Sequence, residues 1–191
     1  GKKMYTHWCG DSEGLLCHRS RSLKLVDPHT PARADEKSRI NEAGGTVVWF
    51  GTWRVNGTLG VARSIGDADH AGVVIATPDS IERDITADDT FIMLATDGLF
   101  DVFKHEEATM STVHWINTPD RDPDAICNAL VGEALRRKTK DNVTCMFVFF
   151  KENPLPKLRP VRTAHPKVPT KACPVPPRDA YEAAQKAAGM A

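Results

Sequence analysis

Short apolar runs alternate with stretches of helical spacing between residues 4 and 150, a pattern typical of a mixed α and β domain. Strands are predicted at Met4–Trp8, Gly14–Cys17, Val47–Phe50, Trp53–Val55, Thr58–Ala62, Thr90–Thr96 and Val143–Phe150. Helices are predicted at Ala34–Ala43, His105–Asn117 and Asp122–Lys138. The first two strands are expected to pair as a hairpin around the turn Gly10-Asp11-Ser12.

Proline changes the pattern after Phe150, since eight of the thirteen prolines lie between Asn153 and Arg178. This composition predicts an extended linker over residues 152–178 rather than a packed unit. The Ala-rich segment 179–191 is compatible with a short helix or a mobile tail, because so short a helix is marginal in water by itself. One packed domain over residues 1–151 is therefore expected.

Charge and cysteine content limit the classes of binding partner and the cellular compartments to be expected. Twenty-five basic residues balance twenty-five acidic ones, so neither nucleic acid nor an acidic membrane surface is indicated as a partner. The longest apolar runs are too short to cross a bilayer. Five cysteines, an odd number without a C-x-x-C pair, favour a reducing compartment. We therefore expect an intracellular protein, with the cytoplasm favoured and the nucleus or mitochondrion left open.

Three aspartates lie where predicted strands begin or end. Asp97 follows the strand Thr90–Thr96, Asp141 precedes the strand Val143–Phe150, and Asp11 follows the first strand. If the two apolar strands are antiparallel neighbours, their aspartates fall on the same rim of the sheet, and Asp11 can join them. Carboxylates without Cys or His partners form a hard oxygen site suited to Mg²⁺ or Mn²⁺. Each aspartate taken singly is typical of an ordinary turn, so spacing alone does not establish a metal site.

Seven sequence blocks stand in one order between residues 9 and 144. They are Cys9–Cys17 with its Gly-Asp-Ser, His29-Thr30-Pro31 with Asp35–Ile40 and Ala43-Gly44-Gly45, Arg54–Leu59, Ala62–Asp67, Ile75–Asp79, Leu94–Asp101 and Lys140–Thr144. In their residues and in their order they resemble the type 2C family of metal-dependent serine/threonine protein phosphatases. Any one block alone would be too common to carry the resemblance.

The resemblance implies an α+β fold, a layered sandwich of two antiparallel β-sheets flanked by helices. Residues 1–151 are expected to hold only the C-terminal half of the catalytic domain. The implied activity is hydrolysis of phosphoserine and phosphothreonine on phosphoprotein substrates, by water activated between two Mg²⁺ or Mn²⁺ ions. Residues matching Asp97 and Asp141 ligate one catalytic ion in the family, and the residue matching Asp11 helps to bind a third, weaker ion. Arg63, Asp67 and Asp101 also match family positions and are interpreted as structural.

Departures from the family pattern keep a second interpretation open. Glu13 stands where Arg usually follows Gly-Asp-Ser, and Pro28 stands where Asp usually precedes the His. The family's Asp-Gly-His segment and phosphate-binding Arg have no match, so the chain alone is expected to be inactive. The alternative is a non-catalytic phosphatase-like module that binds protein partners. A chain with half of each sheet is also expected to self-associate through uncovered strand edges.

Overall fold

The computed structural model describes residues 2–119, 122 and 125–150. The helices and strands in these ranges are β1 (Lys2–Trp8), β2 (Glu13–His18), β3 (Arg21–Lys24), α1 (Ala34–Glu42), β4 (Val47–Phe50), β5 (Thr52–Val55), β6 (Asp79–Ile85), β7 (Asp89–Ala95), α2 (Asp97–Phe100), α3 (His105–Ile116), α4 (Ile126–Arg136) and β8 (Cys145–Phe149). The predicted linker 152–178 and the segment 179–191 lie outside the described residues. No helix in the described ranges is both long enough and apolar enough to span a membrane.

Antiparallel pairing organises the strands into three sheets. A four-stranded sheet has the order β3-β2-β7-β8, a two-stranded sheet pairs β1 with β6, and β4 and β5 form a hairpin. The β2–β7 register places Glu13 opposite Ala95, and the β7–β8 register places Ala95 opposite Cys145. These sheets, together with the four helices, confirm the expected α+β class of antiparallel sheets and helices.

The four-stranded sheet buries different residues on its two faces, because successive side chains on a strand point in opposite directions. Leu15, Phe91 and Met93 lie in a cluster that includes the buried residues of α3 and α4. Leu16 packs with Leu25, Val26, Met4, Trp8 and Ile92, which joins this face of the sheet to β1. The sheet is therefore a middle layer between the helices and the two-stranded sheet.

The predicted hairpin between the first two strands is wrong. Strand β1 pairs with β6 from Lys2 opposite Ile85 to Trp8 opposite Asp79, whereas β2 pairs with β3 and β7. Strand β6 has the polar sequence DSIERDI and mostly exposed side chains, so it lacks the apolar signal by which a strand is predicted. The turn at residues 9–12 therefore carries the chain from one sheet to another.

The observed helix boundaries agree with the predicted ones for α1 and differ from them for α4. The predicted helix from Ala34 is confirmed to within one residue of its end, where Gly44 has a φ of +82°. The predicted start at Asp122 is wrong, because α4 begins at Ile126. The carbonyl of Asp122 accepts hydrogen bonds from the Ala125 amide (3.1 Å) and from Trp115 Nε1 (2.9 Å), and the second bond ties this segment to α3.

The predicted strand Thr58–Ala62 is also wrong, since Leu59 contributes only an isolated bridge to Val55. The Asn56-Gly57 turn forms as expected, with φ values of +50° and +76°. The strand after this turn is too short to extend the ladder. The region therefore serves as a loop that leads from β5 to Arg63.

Candidate metal centre

The sheet topology brings three strand ends to one rim. Strand β7 ends at Ala95, which lies opposite both Glu13 at the start of β2 and Cys145 at the start of β8. Asp97 follows β7 by two residues, Asp11 precedes β2 by two residues, and Asp141 precedes β8 by four. The antiparallel order therefore places all three aspartates at the same end of the sheet.

These aspartates line a cleft of about 580 Å³ that has two chemically different walls. Five carboxylates line the cleft, and four of them form the cleft cluster, namely those of Asp11, Asp97, Asp101 and Asp141; the fifth, that of Glu13, pairs with His105 (3.0 Å). Thr52, Trp53 and Arg54 of β5 also line the cleft. The cleft therefore combines several carboxylates with two aromatic side chains, Trp53 and Phe100, and one guanidinium group.

Hydrogen bonds of Thr96 hold the end of β7 against the segment that carries Asp141. Thr96 Oγ1 donates to the carbonyl of Asn142 (3.0 Å) and accepts from the amide of Thr144 (3.1 Å). The Thr96 amide also donates to the carbonyl of Thr144 (3.0 Å). Asp97, the next residue, begins α2, and its Oδ1 accepts from the Gly98 amide (2.9 Å). The two aspartate-bearing segments are thus fixed to each other by backbone contacts.

Gly98 permits the close approach of these segments. A Cβ at this position would lie 2.5 Å from the carbonyl oxygen of Asn142 and 3.2 Å from Asp141 Cβ. The first distance is shorter than real Cβ contacts, and its partner is backbone that cannot move aside easily. The Asp-Gly pair after β7 is therefore more than a turn signal, since its glycine allows Asp141 to lie beside Asp97.

Burial and mutual repulsion raise the pKa of two carboxyls in the cleft cluster. Burial is the main cause for Asp97, and the charges of Asp11 and Asp141 add to it. The pKa of Asp11 is raised by burial and, to a smaller extent, by Asp141 and Asp101. Within the described ranges no Lys, Arg or His forms an ion pair with any of the four carboxylates. The site thus concentrates negative charge that its own side chains leave uncompensated.

The donor chemistry of the cleft cluster fits a hard divalent cation, because Mg²⁺ and Mn²⁺ prefer carboxylate oxygens and compensate such charge. Across residues 2–119, 122 and 125–150, however, no group of three or more Asp, Glu, His or Cys side chains converges tightly enough to hold an ion. Asp11, Asp97 and Asp141 are brought to one cleft, and their role as metal ligands stays a prediction.

A second set of charges, the buried ion network, lies beside the rim. Glu36 is 1% exposed and accepts hydrogen bonds from Arg33, Arg39 and Arg63. Asp79 accepts from Arg33 (3.0 Å) and Arg63 (2.8 Å). Burial acts to raise the pKa of Glu36, but hydrogen bonds from Arg63 and Arg39 outweigh it and lower that pKa. The contacts of Arg63 agree with its interpretation as a structural ion-pair residue.

Asp101 was missed as a cleft residue, although a sequence signal for it exists. It follows Asp97 by four residues, a spacing that places two side chains on the same face of a helix. The α2 helix provides that geometry, and the Asp101 amide donates to the Asp97 carbonyl (2.8 Å). Trp53 and Arg54 were also missed as cleft residues, because only the fold of the β4–β5 hairpin brings them there.

Comparison with known proteins gives a consistent result. The family model for Protein phosphatase 2C matches residues 1–143. Protein phosphatase 1E from Mus musculus is 36% identical over 152 residues, which cover 80% of this chain and 20% of that protein. The chain spans between about a fifth and about half of the length of the curated relatives it matches.

Solved structures show the same similarity in three dimensions. A sex determining protein from C. elegans matches with a TM-score of 0.73 and 29% identity, over 78% of this chain and 37% of that one. A phosphatase from Toxoplasma gondii matches with a TM-score of 0.70 and 28% identity, over 78% of this chain and 48% of that one. Sequence family and fold therefore agree.

Proposed function

The chain belongs to the protein phosphatase 2C family, and from that premise we propose that the complete protein hydrolyses phosphoserine and phosphothreonine on proteins with the help of Mg²⁺ or Mn²⁺. The observation that carries the proposal is the cleft cluster, whose carboxylates repel one another and form no ion pair with a Lys, Arg or His of the described residues. Because this chain spans only part of its relatives, the activity is assigned to a protein that also contains the rest of the catalytic domain.

Each carboxylate has a distinct binding role in this proposal. Asp97 and Asp141 would hold one catalytic ion, and Asp11 together with Asp97 would hold a weaker third ion. The bound ions would supply a water nucleophile at neutral pH and stabilise the charge that develops on phosphorus. Gly98 keeps the Asp97 and Asp141 segments adjacent, as its contact with Asn142 requires. This chain thus provides carboxylates for the ions, while the second ion needs further ligands.

The β4–β5 hairpin is proposed to contact the polypeptide around the phosphorylated residue. Trp53 and Arg54 line the cleft, and Trp49 and Phe50 at the hairpin end are 63% and 75% exposed. Exposed aromatic side chains combine a large apolar contact area with few rotatable bonds, which suits peptide binding. Arg54 is the cleft guanidinium and can pair with a phosphate oxygen.

The activity test compares the isolated chain with the complete protein, using p-nitrophenyl phosphate and a phosphopeptide with added Mn²⁺. We expect little or no turnover by the isolated chain and robust turnover by the complete protein. In the complete protein, Asp97→Asn should lower the rate by orders of magnitude because a metal ligand is lost. Asp35→Asn, which changes an exposed carboxylate bound to Arg33, is the matched control and should leave the rate unchanged. An unchanged rate for Asp97→Asn would refute the proposal.

A non-catalytic partner-binding module is the second candidate, and two observations favour it. No three potential ligands converge tightly on one point in the described ranges. In addition, Glu13 reverses the charge that the family pattern has there and pairs with His105 (3.0 Å). Mn²⁺ titration followed by electron paramagnetic resonance separates the candidates. Binding that Asp97→Asn abolishes supports the enzyme, and absence of binding in the complete protein supports the module.

We also propose that the isolated chain self-associates through the part of the four-stranded sheet that β1 leaves exposed. Leu94, Met146 and Val148 are 36%, 54% and 45% exposed. They line an apolar groove of about 550 Å³ beside β1. Strand β8 lies at the edge of its sheet, so its outer backbone groups have no strand partner among the described elements.

Sedimentation velocity over a range of concentrations tests this association. Val148→Lys should shift the chain towards monomer, because a charge in the groove cannot be buried cheaply. Leu135→Lys is the matched control, since Leu135 is 49% exposed on α4, away from the groove. A monodisperse monomer of the unsubstituted chain would contradict the proposal.

A further inference from the structure

We propose that His29 is a positioning residue that holds the Gly10–Asp11 turn and so sets the place of Asp11 at the cleft. His29 is completely buried, yet it is a titratable side chain that the proposed reaction does not use. The inference rests on the proposed function only for its metal consequence, because the contacts that carry it are independent of any ion.

Two hydrogen bonds join His29 to Gly10. The His29 amide donates to the Gly10 carbonyl (2.9 Å), and the Gly10 amide donates back to His29 Nδ1 (3.1 Å). Both backbone polar groups of Gly10 are therefore bound by a single residue. Gly10 itself has a φ of +115°, a conformation that residues with a Cβ rarely adopt. The turn before Asp11 thus depends on a glycine conformation that His29 fixes from one side.

The other ring nitrogen lies close to a carboxylate. Because Nδ1 accepts the Gly10 amide, the ring proton lies on Nε2, which is 3.2 Å from Asp79 Oδ2 but does not have the angle of a hydrogen bond. The ring also stacks on Trp8, with centroids 6.1 Å apart and planes inclined by 22°. The His29 carbonyl accepts a further bond from the Ala62 amide (2.7 Å). Neither the ring nor its backbone can therefore rotate without the loss of several contacts.

Asp79 extends this arrangement to the buried ion network. Its carboxylate accepts from Arg33 and Arg63, so the oxygen that faces His29 is itself held in place. The order of contacts runs from the network through Asp79 and His29 to Gly10, and from there along the chain to Asp11. A carboxylate beside one ring nitrogen is a common partner that sets the tautomer and orientation of a histidine. Asp11 is thereby positioned by residues that do not touch the cleft.

Two variants in the full 191-residue chain, each of which mimics one ring nitrogen of His29, separate hydrogen bonding from packing, since both lose the ring. In His29→Asn the side-chain oxygen can accept the Gly10 amide in place of Nδ1, whereas His29→Gln puts its polar end near Nε2 and leaves Gly10 unbound. Hydrogen exchange followed by NMR should show that the Gly10 amide stays protected in His29→Asn and loses protection in His29→Gln. This readout requires no metal.

The same variants are then titrated with Mn²⁺ alone, followed by electron paramagnetic resonance. We expect His29→Gln to weaken the binding that depends on Asp11 by about tenfold and His29→Asn to weaken it by less than about threefold. In an Asp11→Asn background the two variants should bind alike, because the positioned ligand is gone. A general loss of stability would instead weaken binding in both backgrounds.

The role of His29 would be overturned if the Gly10 amide were equally protected from exchange in the two variants. It would also be overturned if their Mn²⁺ affinities differed as much in the Asp11→Asn background as without that substitution. Absence of Mn²⁺ binding by the unsubstituted chain would count against the proposed metal site, and the exchange result would then decide the His29–Gly10 contact by itself. The failure of one proposal is thus distinguishable from the failure of the other.

Discussion

The cleft cluster and the buried ion network contain the same kind of side chain and have opposite electrostatics. In the network, Glu36 is almost fully buried, but three guanidinium groups donate to it, and those of Arg63 and Arg39 lower its pKa. In the cleft, Asp97 is less buried, yet its neighbours are other carboxylates and its pKa is raised. Burial acts in the same direction in both places, so the neighbouring charges decide the outcome.

This difference separates a structural site from a functional one. Ions that are paired and hydrogen-bonded inside a protein hold elements together, and loss of one partner leaves a buried charge uncompensated. Like charges that face one another lower the stability of the fold and are retained where a ligand compensates them. The network thus stabilises the region behind the rim, while the cleft cluster costs stability in the absence of a cation. The following predictions test that contrast.

The largest effect is expected from Glu36→Gln, which leaves Arg39 and Arg63 without their buried carboxylate. We expect the free energy of unfolding to fall by roughly 3 kcal/mol, measured by urea denaturation. Asp35→Asn removes an exposed carboxylate that pairs with Arg33 and should cost less than about 1 kcal/mol. Equal costs for the two variants would mean that the buried network has no special role.

Gly98→Ala should lower the free energy of unfolding by about 2 kcal/mol, because the added methyl group meets the carbonyl of Asn142 at 2.5 Å. The added methyl group should also push the Asp141–Asn142 segment away from Asp97, and this displacement should weaken Mn²⁺ binding. Gly60→Ala is the matched control: its Cβ would meet nothing within 4 Å, and its cost should stay within about 0.5 kcal/mol. Urea denaturation and Mn²⁺ titration of both variants provide the measurement.

Asp97→Asn is expected to stabilise the metal-free chain, by about 1 kcal/mol at pH 7, because it removes a charge repelled by Asp11 and Asp141. Added Mn²⁺ should raise the melting temperature of the unsubstituted chain and leave that of Asp97→Asn unchanged. Thermal unfolding with and without Mn²⁺ measures both effects. A less stable Asp97→Asn chain in the absence of metal would contradict the repulsion inferred for the cleft.

The smallest effects are expected in the pH dependence of the stability changes that Asp97→Asn and Glu36→Gln cause. In the folded protein the pKa of Asp97 lies above its ordinary value of 3.8. Its ionisation therefore destabilises the fold as pH rises from that ordinary value through the pKa of the folded state. The folded pKa of Glu36 lies below its ordinary value of 4.5, so its contribution is lost as pH falls through the folded pKa. On acidification from pH 7, the advantage of Asp97→Asn should vanish first and the deficit of Glu36→Gln only at lower pH. Denaturation curves between pH 7 and 3 provide the measurement.

Much of this molecule could be predicted from its residues. The strands β4, β7 and β8 are predicted from runs of apolar, β-branched and aromatic residues, and the helices α1 and α3 from apolar spacing and stop signals. The placement of Asp97 and Asp141 on one rim followed from two apolar strands that are antiparallel neighbours. These features need only local propensity and the pairing of strands that are apolar on their own.

Other features had no local signal. Strand β6 is polar and is defined only by its ladder to β1, so neither it nor the true partner of β1 could be found from periodicity. The segment before α4 is tied to α3 by the contact between Trp115 and the Asp122 carbonyl, which no local pattern indicates. These contacts form only in the folded chain, so local patterns of apolar and polar residues in the sequence do not predict them.

The sequence by itself determined which side chains could act, since the blocks with Asp11, Asp97 and Asp141 indicate both the family and an oxygen-ligand site. Only the tertiary structure decided which carboxylates repel and which are compensated. Arg39 and Arg63 lie 3 and 27 residues from Glu36, and folding brings both guanidinium groups to it, while it brings the aspartates of distant turns together without such a partner. Electrostatic energy depends on distance in space, and that distance is set by the packing of the whole fold.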